Sequence, residues 1–104
     1  GESSATVAAR VSAARDRQAA RYGGLTDISS NADAAGELLE DVASPDAEGR
    51  DLLLRAAERF HLSARGYHRV MRVARTIADL DASEQVRRHH VAEAVSFRMG
   101  TAAA

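Results

Sequence analysis

Alanine sets the strictest limit on what this chain can build. Of 104 residues 47 are apolar and 23 of those are Ala, so only 24 larger side chains are left to fill an interior. The core must be thin. Ala, Arg, Glu and Leu have the best helix propensities, and a chain rich in them with a single Pro is predicted to be helical. The length fits one compact domain and leaves little room for a second core.

With no Cys and no Trp, the sequence excludes a disulfide framework, a Cys zinc site and a thiol nucleophile, and it is compatible with a reducing compartment. No apolar run approaches the roughly 20 residues that cross a bilayer. The start, Gly1-Glu2-Ser3-Ser4, has no basic region followed by an apolar one. The expectation is a soluble, untargeted, cytoplasmic segment with no membrane partner. The formal charge of −1 argues against a general polycation, but its distribution is uneven. Asp27 to Asp51 holds eight acids against Arg50, whereas His61 to Ala78 holds Arg65, Arg69, Arg72 and Arg75 and no acid.

Helical spacing recurs along the chain. Ser4 to Tyr22 puts Val7, Val11, Ala14 and Gln18 on one stripe and Arg10, Arg17 and Arg21 on the opposite side, with Gly23-Gly24 as a stop. After a loop, Asn31 is the expected N-cap of a helix over residues 32–42 whose apolar contribution is Leu38, Leu39 and Val42. Ser44 as cap and Pro45 at the first helical position open a third helix carrying Leu52, Leu53, Ala56, Ala57 and Phe60. Ser63 caps a fourth, in which Tyr67, Val70, Met71, Ala74, Ile77 and Ala78 form a core stripe. A turn near Asp81 leads through an extended Val86 to a last helix from about His89 to Arg98, with Val91, Ala94 and Val95 inward. No stretch alternates with period two over more than four residues, so the predicted fold is all-α, with four or five helices.

Three constellations carry chemistry, each beside a plainer reading. Ser63-Ala64-Arg65-Gly66 begins the fourth helix, where unpaired N–H groups and the positive end of the dipole can hold a phosphate and Arg65 adds a two-pronged charge. The plainer reading is a solvated Arg. Gly66 costs stability in a first turn and suggests close approach of another surface. The row Arg65, Arg69, Arg72 could follow a nucleic-acid backbone, or be a solvated face, or meet an acidic surface. Arg75 and Asp79 stand at i, i+4 as a structural pair worth a few tenths of a kcal/mol at most, roughly. His89, His90 and Glu93 have metal-ligand spacing on one helix but no further ligand at a recognisable distance in sequence, so no metal site is expected. Without a phosphate loop, a nucleophile elbow or a His-Glu-x-x-His, the chain alone is not a complete enzyme.

The run Leu62-Ser63-Ala64-Arg65-Gly66-Tyr67-His68-Arg69-Val70-Met71-Arg72-Val73-Ala74-Arg75-Thr76-Ile77-Ala78-Asp79-Leu80, with His90-Val91-Ala92-Glu93-Ala94 and Phe97-Arg98 after it, resembles the C-terminal domain of the magnesium-chelatase-like AAA+ ATPases, the ComM (YifB) family. Gly1-Glu2-Ser3-Ser4, Arg10-Val11, Ala14-Arg15, Gln18, Arg21 and Asn31-Ala32 extend the resemblance, which covers residues 1–98. It implies the all-α, four- to five-helix lid of an AAA+ ATPase, followed by a disordered tail over 99–104. The nucleotide core, with its phosphate loop, Walker B acids and arginine finger, would lie upstream. In related lids a Ser-x-Arg at a helix start is the sensor-2 motif, whose Arg contacts the γ-phosphate of ATP. By position that residue is Arg65, with Ser63 and Gly66 beside it. The resemblance further implies ATP with Mg in the full-length protein and none held tightly by this chain alone. It implies a homo-hexamer, and action on DNA by branch migration during natural transformation, with Arg69 and Arg72 as DNA or subunit contacts. Magnesium chelation is the family's name and not the activity inferred. Two other classes remain at this level: a stand-alone helical DNA-binding domain, and a protein-interaction module that contacts no nucleotide.

Overall fold

The computed structural model describes residues 1–99 as five helices: α1 (Ser4–Tyr22), α2 (Gly36–Ala43), α3 (Ala47–Arg59), α4 (Ala64–Leu80) and α5 (Arg88–Met99). No β-strand occurs among the described residues, as expected of an all-α chain. The tail expected at 99–104 lies outside them from residue 100 onward, and α5 runs to Met99. Helix α4 is the central element, packed against α1, α2 and α5, while α3 lies against α5. The result is a slab of 38 × 37 × 21 Å. No helix among the described residues is long and apolar enough to cross a membrane.

Local chemistry sets most boundaries. Ser3 and Ser63 cap α1 and α4 by accepting from the N–H groups of Thr6 and Gly66 at 3.1 and 3.0 Å. Two starts differ from the sequence reading. Asn31–Asp33 is a single 3₁₀ turn, and α2 begins only at Gly36, whose φ of +55° favours the one residue without a Cβ. Asn31 is therefore not a helix cap, because its side chain is drawn inward. The cap of α3 is Asp46, which accepts from Gly49 N–H at 2.7 Å, rather than Ser44. Pro45 precedes the helix and bridges to Val86 in parallel, with Asp46 N–H donating to the Val86 carbonyl at 2.9 Å. The extended Val86 predicted from sequence thus has its partner. Gly49 sits where the starts of α3 and α5 approach: a Cβ there would fall 3.3 Å from Arg88 N.

The ends of α3 and α4 share one device. Ser83 N–H reaches back to the Ala78 carbonyl at 2.8 Å and Ala82 N–H to Asp79 at 3.1 Å, with Ala82 at φ 57°. Leu62 and His61 repeat the pattern on Ala57 and Glu58, with His61 at φ 51°. Both are Schellman closures that use Ala and His where Gly is usual.

The core is as thin as the composition requires. Its buried cluster is Tyr22, Ala34, Leu39, Ala43, Leu53, Val70, Met71, Ala74, Ala78, Val86, Val91 and Ala94, five of them Ala. Along α4 the buried residues are Gly66, Val70, Met71, Ala74, Arg75, Ala78 and Asp79, so the inward face is turned toward Arg75 and Asp79 and leaves Tyr67 and Ile77 half-buried at its margin. Phe60, expected in the core, is 41 % exposed just past the last turn of α3.

Candidate functional site at the start of the central helix

The arginines of α4 fall into two groups. Arg65 and Arg69 are exposed and, among the described residues, have neither an ion-pair nor a hydrogen-bond partner. Arg72 is half-buried and donates through Nε to the Ala34 carbonyl at 2.8 Å, pinning the entry to α2. Arg75 is buried, giving Val42 and Glu84 carbonyls one nitrogen and the Ser83 carbonyl and Asp79 Oδ1 the other. Four arginines of similar spacing therefore have three different commitments.

Arg65 is the second residue of α4, in its first turn. Ser63 Oγ is spent on Gly66 N–H and the Ser63 carbonyl accepts from Tyr67 N–H, which fixes the helix start and aligns its first N–H groups outward. Gly66 is buried beneath Ser63 and Leu62, and a Cβ built on it would meet their atoms at 3.4 to 3.8 Å, ordinary contact distances. Nothing inside the domain demands a glycine there. Arg65, Arg69 and Arg72 line one open groove of about 510 Å³ together with Val73, Thr76 and Ile77, and no carboxylate lines it. The structure thus brings together the basic row anticipated from the spacing, with Arg72 partly committed elsewhere.

The polar centre that sequence reasoning missed lies deeper along the same helix. Asp79 is wholly buried and accepts two bonds from Arg21, at 2.7 and 2.9 Å, one from Asn31 Nδ2 at 2.9 Å, and a contact from Arg75 at 3.0 Å. Asn31 Oδ1 in turn accepts from Tyr22 Oη at 2.7 Å and Arg21 at 3.0 Å, and its N–H donates to Gln18 at 2.8 Å. Arg21, predicted on the outer side of α1, therefore turns inward, since Asp79 would otherwise be left with a single cation. Burial pushes the Asp79 carboxyl up, but the bonds from Arg21 and Asn31 and the neighbouring guanidinium charges outweigh it and hold it below the usual range. Burial raises the Tyr22 phenol, which keeps it a donor. The Arg75–Asp79 pair, read from its spacing as a minor structural pair, is the join between α4, α1, the end of α2 at Val42 and the loop at Ser83 and Glu84. Among its buried side-chain atoms in the described residues, Arg75 Nε alone has no hydrogen-bond partner.

The histidines of α5 make a third cluster. Asp81, His89 and His90 bring one ligand atom each within 4.8 Å of one another, and Glu93 is not part of the group. Arg87 N–H donates to Nδ1 of buried His90 at 2.9 Å, so Nε2 carries the proton and donates to Asp81 at 2.9 Å. A metal would need the lone pair of Nε2, which this tautomer lacks. His90 instead clasps the start of α5 to the end of α4. Its hydrogen bond, and that of His89, hold the Asp81 carboxyl below its ordinary range.

Residues 1–98 match the sequence model of a family described as magnesium chelatase, subunit ChlI C-terminal. The chain is 41 % identical over 98 residues to the YifB protein of Escherichia coli, covering 94 % of this chain and 18 % of that protein. To the competence protein ComM of Haemophilus influenzae it is 35 % identical over 98 residues, with the same coverage of 94 % and 18 %. The chain thus spans under a fifth of these relatives. No solved structure matches it.

Proposed function

Because the chain belongs to the magnesium chelatase ChlI C-terminal family, we propose that it is the helical lid of an AAA+ ATPase and that Arg65 is the group through which the lid reads the γ-phosphate of ATP. The observation that carries this reading is the free guanidinium of Arg65 beside a capped helix start, on a helix whose Arg72 and Arg75 are already committed. A planar fork next to outward N–H groups suits a multiply charged oxyanion. The residues present fit the phosphate and not its Mg²⁺: the groove holding Arg65 is lined by no carboxylate, so the acids that hold the ion belong to the upstream region. ATP, when bound, supplies a terminal phosphate whose release removes the partner of Arg65.

What this chain contributes is a rigid lever. Arg65 grips at the start of α4, and about two to four turns along the same helix Arg72, Arg75 and Asp79 tie it to the α2 entry, to α1 and to the loop after α4. A force at Arg65 therefore moves the domain as one body. In the longer protein the lid would work within a homo-hexamer that drives branch migration of DNA in the cytoplasm, as in the uptake of DNA by competent cells, with Arg69 and Arg72 toward DNA or a neighbouring subunit.

The test is steady-state ATPase of the full-length protein with Arg65→Ala, Arg65→Lys and Arg69→Ala. Arg65→Ala is expected to lower the rate by about 10²-fold, in the range of losing one donor to a developing charge. Arg65→Lys restores little, since an ammonium cannot make a two-pronged contact. Arg69→Ala, on the same basic row but a turn away from the helix start, is expected to lose at least about tenfold less than Arg65→Ala. It is a better control than Arg72→Ala, which would also free the Ala34 carbonyl. Equal losses at Arg65 and Arg69 would point to a shared basic surface for DNA and overturn the assignment.

A further inference from the structure

The outward side of α4 is apolar beyond its arginines. Val73 and Ile77 are half-buried, and Phe97 of α5 stands beside them 60 % exposed, the most exposed large apolar side chain among the described residues. In a chain with only 24 apolar side chains larger than Ala, leaving Phe97 outside gives up area the core could have used. The ends of this face differ. Toward the start of α4, Arg69 and Arg98 flank Val73 and Phe97. Toward its end, an open hollow of about 760 Å³ is shared by Ile77, Leu80 and Phe97 with Glu2. The beginning of the described chain therefore lies at the rim of the exposed apolar face.

We infer that this face, centred on Val73, Ile77 and Phe97, is the seat of the polypeptide that precedes the domain in the longer protein. The matched 98 residues are 18 % of each relative, so a body more than four times as large has to be joined to a slab 21 Å thick. The chain emerging at Glu2 meets Ile77, Leu80 and Phe97 first, in a hollow that also holds Arg10, Asp81, His89 and Glu93, and the basic side chain of Arg98 receives an acidic edge of the same body. The inference rests on reading the chain as one end of a longer ATPase, and is independent of what Arg65 contacts.

The chain contains no Cys, which makes engineered thiols clean reporters. Phe97→Cys and, as control, Leu54→Cys on the outer side of α3, where Leu54 is 53 % exposed, are prepared in the 104-residue chain and in the full-length protein. Maleimide labelling is followed peptide by peptide in a mass spectrometer. In the short chain both thiols react at similar rates at every protein concentration. In the full-length protein Phe97→Cys is expected to react about tenfold more slowly or less, with Leu54→Cys within about twofold of its rate in the short chain. Equal reactivity of Phe97→Cys in the two proteins overturns the inference. So does protection in the short chain that grows with its concentration, which would make a second copy the occupant, and so does a gene that encodes these residues alone. Adding Arg65→Ala separates the two readings: a slowed ATPase with Phe97→Cys still protected supports both, an unchanged ATPase with protection retained removes only the phosphate role, and a slowed ATPase without protection removes only the docking face.

Discussion

Arg65 and Arg75 are ten residues apart on one helix and have opposite fates. Arg65 is exposed and unpaired, while Arg75 is 3 % exposed and holds three carbonyls and a carboxylate. The difference arises from what faces each of them. Arg75 looks toward α2 and the loop after α4, whose orphan carbonyls would be buried without a donor, whereas among the described residues nothing pairs with Arg65. A polar group already satisfied stabilises the fold, and a polar group left over is available for work. In this chain the two occur on the same scaffold.

The largest expected effect breaks the buried half of the comparison. Asp79→Asn removes the charge that Arg21 and Arg75 share and leaves two guanidinium groups partly or wholly buried, a loss of about 3–5 kcal/mol. Arg65→Ala, by contrast, should stay within about 0.5 kcal/mol, as surface substitutions do. Urea titration of the two variants of the 104-residue chain measures both, and comparable losses would mean that Arg65 has an internal partner. The acid limb follows with a definite sign. Asp79 titrates below its ordinary 3.8 in the fold, so its contribution is complete above about pH 4 and is lost as pH falls through the folded value. Asp79→Asn removes that contribution, and the stability of the variant should fall less steeply in acid than that of the wild type.

How much of this was legible in the sequence depended on whether a signal was local. The end of helix α1 is read because Gly23-Gly24 acts within one turn of it. The start of α2 is not, because Asn31 reads as a cap by residue type, and only the position of Asp79, 48 residues later, draws its side chain inward. The i, i+4 spacing of Arg75 and Asp79 was visible, but its burial depends on Arg21 arriving from α1, which no spacing shows. Placing Arg21 opposite Val7 and Ala14 was wrong in geometry: seven residues after Ala14 and three after Gln18, it shares their side of the helix, the side that meets Asn31 and Asp79. The start of α4 was legible as a capped helix bearing a free Arg because both features lie within four residues. Of the docking face only Ile77 drew notice, as a core residue, since an exposed Phe97 cannot be told from a buried one by its spacing.

A smaller effect tests the rotation of α4. Met71, 1 % exposed, faces inward, and Met71→Ala should cost about 2–5 kcal/mol. Ile77 borders the outward groove, so Ile77→Ala should cost nearer 1 kcal/mol, about the loss of partial burial of a few methylenes. Thermal melts of the short chain at low concentration decide it. Equal costs would place Ile77 in the closed core and remove it from the outward face.

The smallest effect is the sharpest, because its sign is expected to differ between the domain's stability and the longer protein's ATPase rate. Gly66 lies in the first turn of α4, where Gly costs about 0.5–1 kcal/mol relative to Ala, and the space for a methyl is already present against Ser63 and Leu62. Gly66→Ala should therefore raise the melting temperature of the 104-residue chain by a few degrees, roughly 4–8 °C per kcal/mol for a domain of this size. A glycine where alanine should be more stable fits a turn that has to yield when another surface closes on it. If closing of the core surface on this turn needs the Ser63 and Leu62 side chains to yield, the added methyl packed against them opposes it, and the ATPase rate of the full-length protein falls while the domain becomes more stable. A melting temperature that rises with the ATPase rate unchanged would show that the turn meets no other surface, and would leave the free guanidinium of Arg65 as the sole support for the phosphate role.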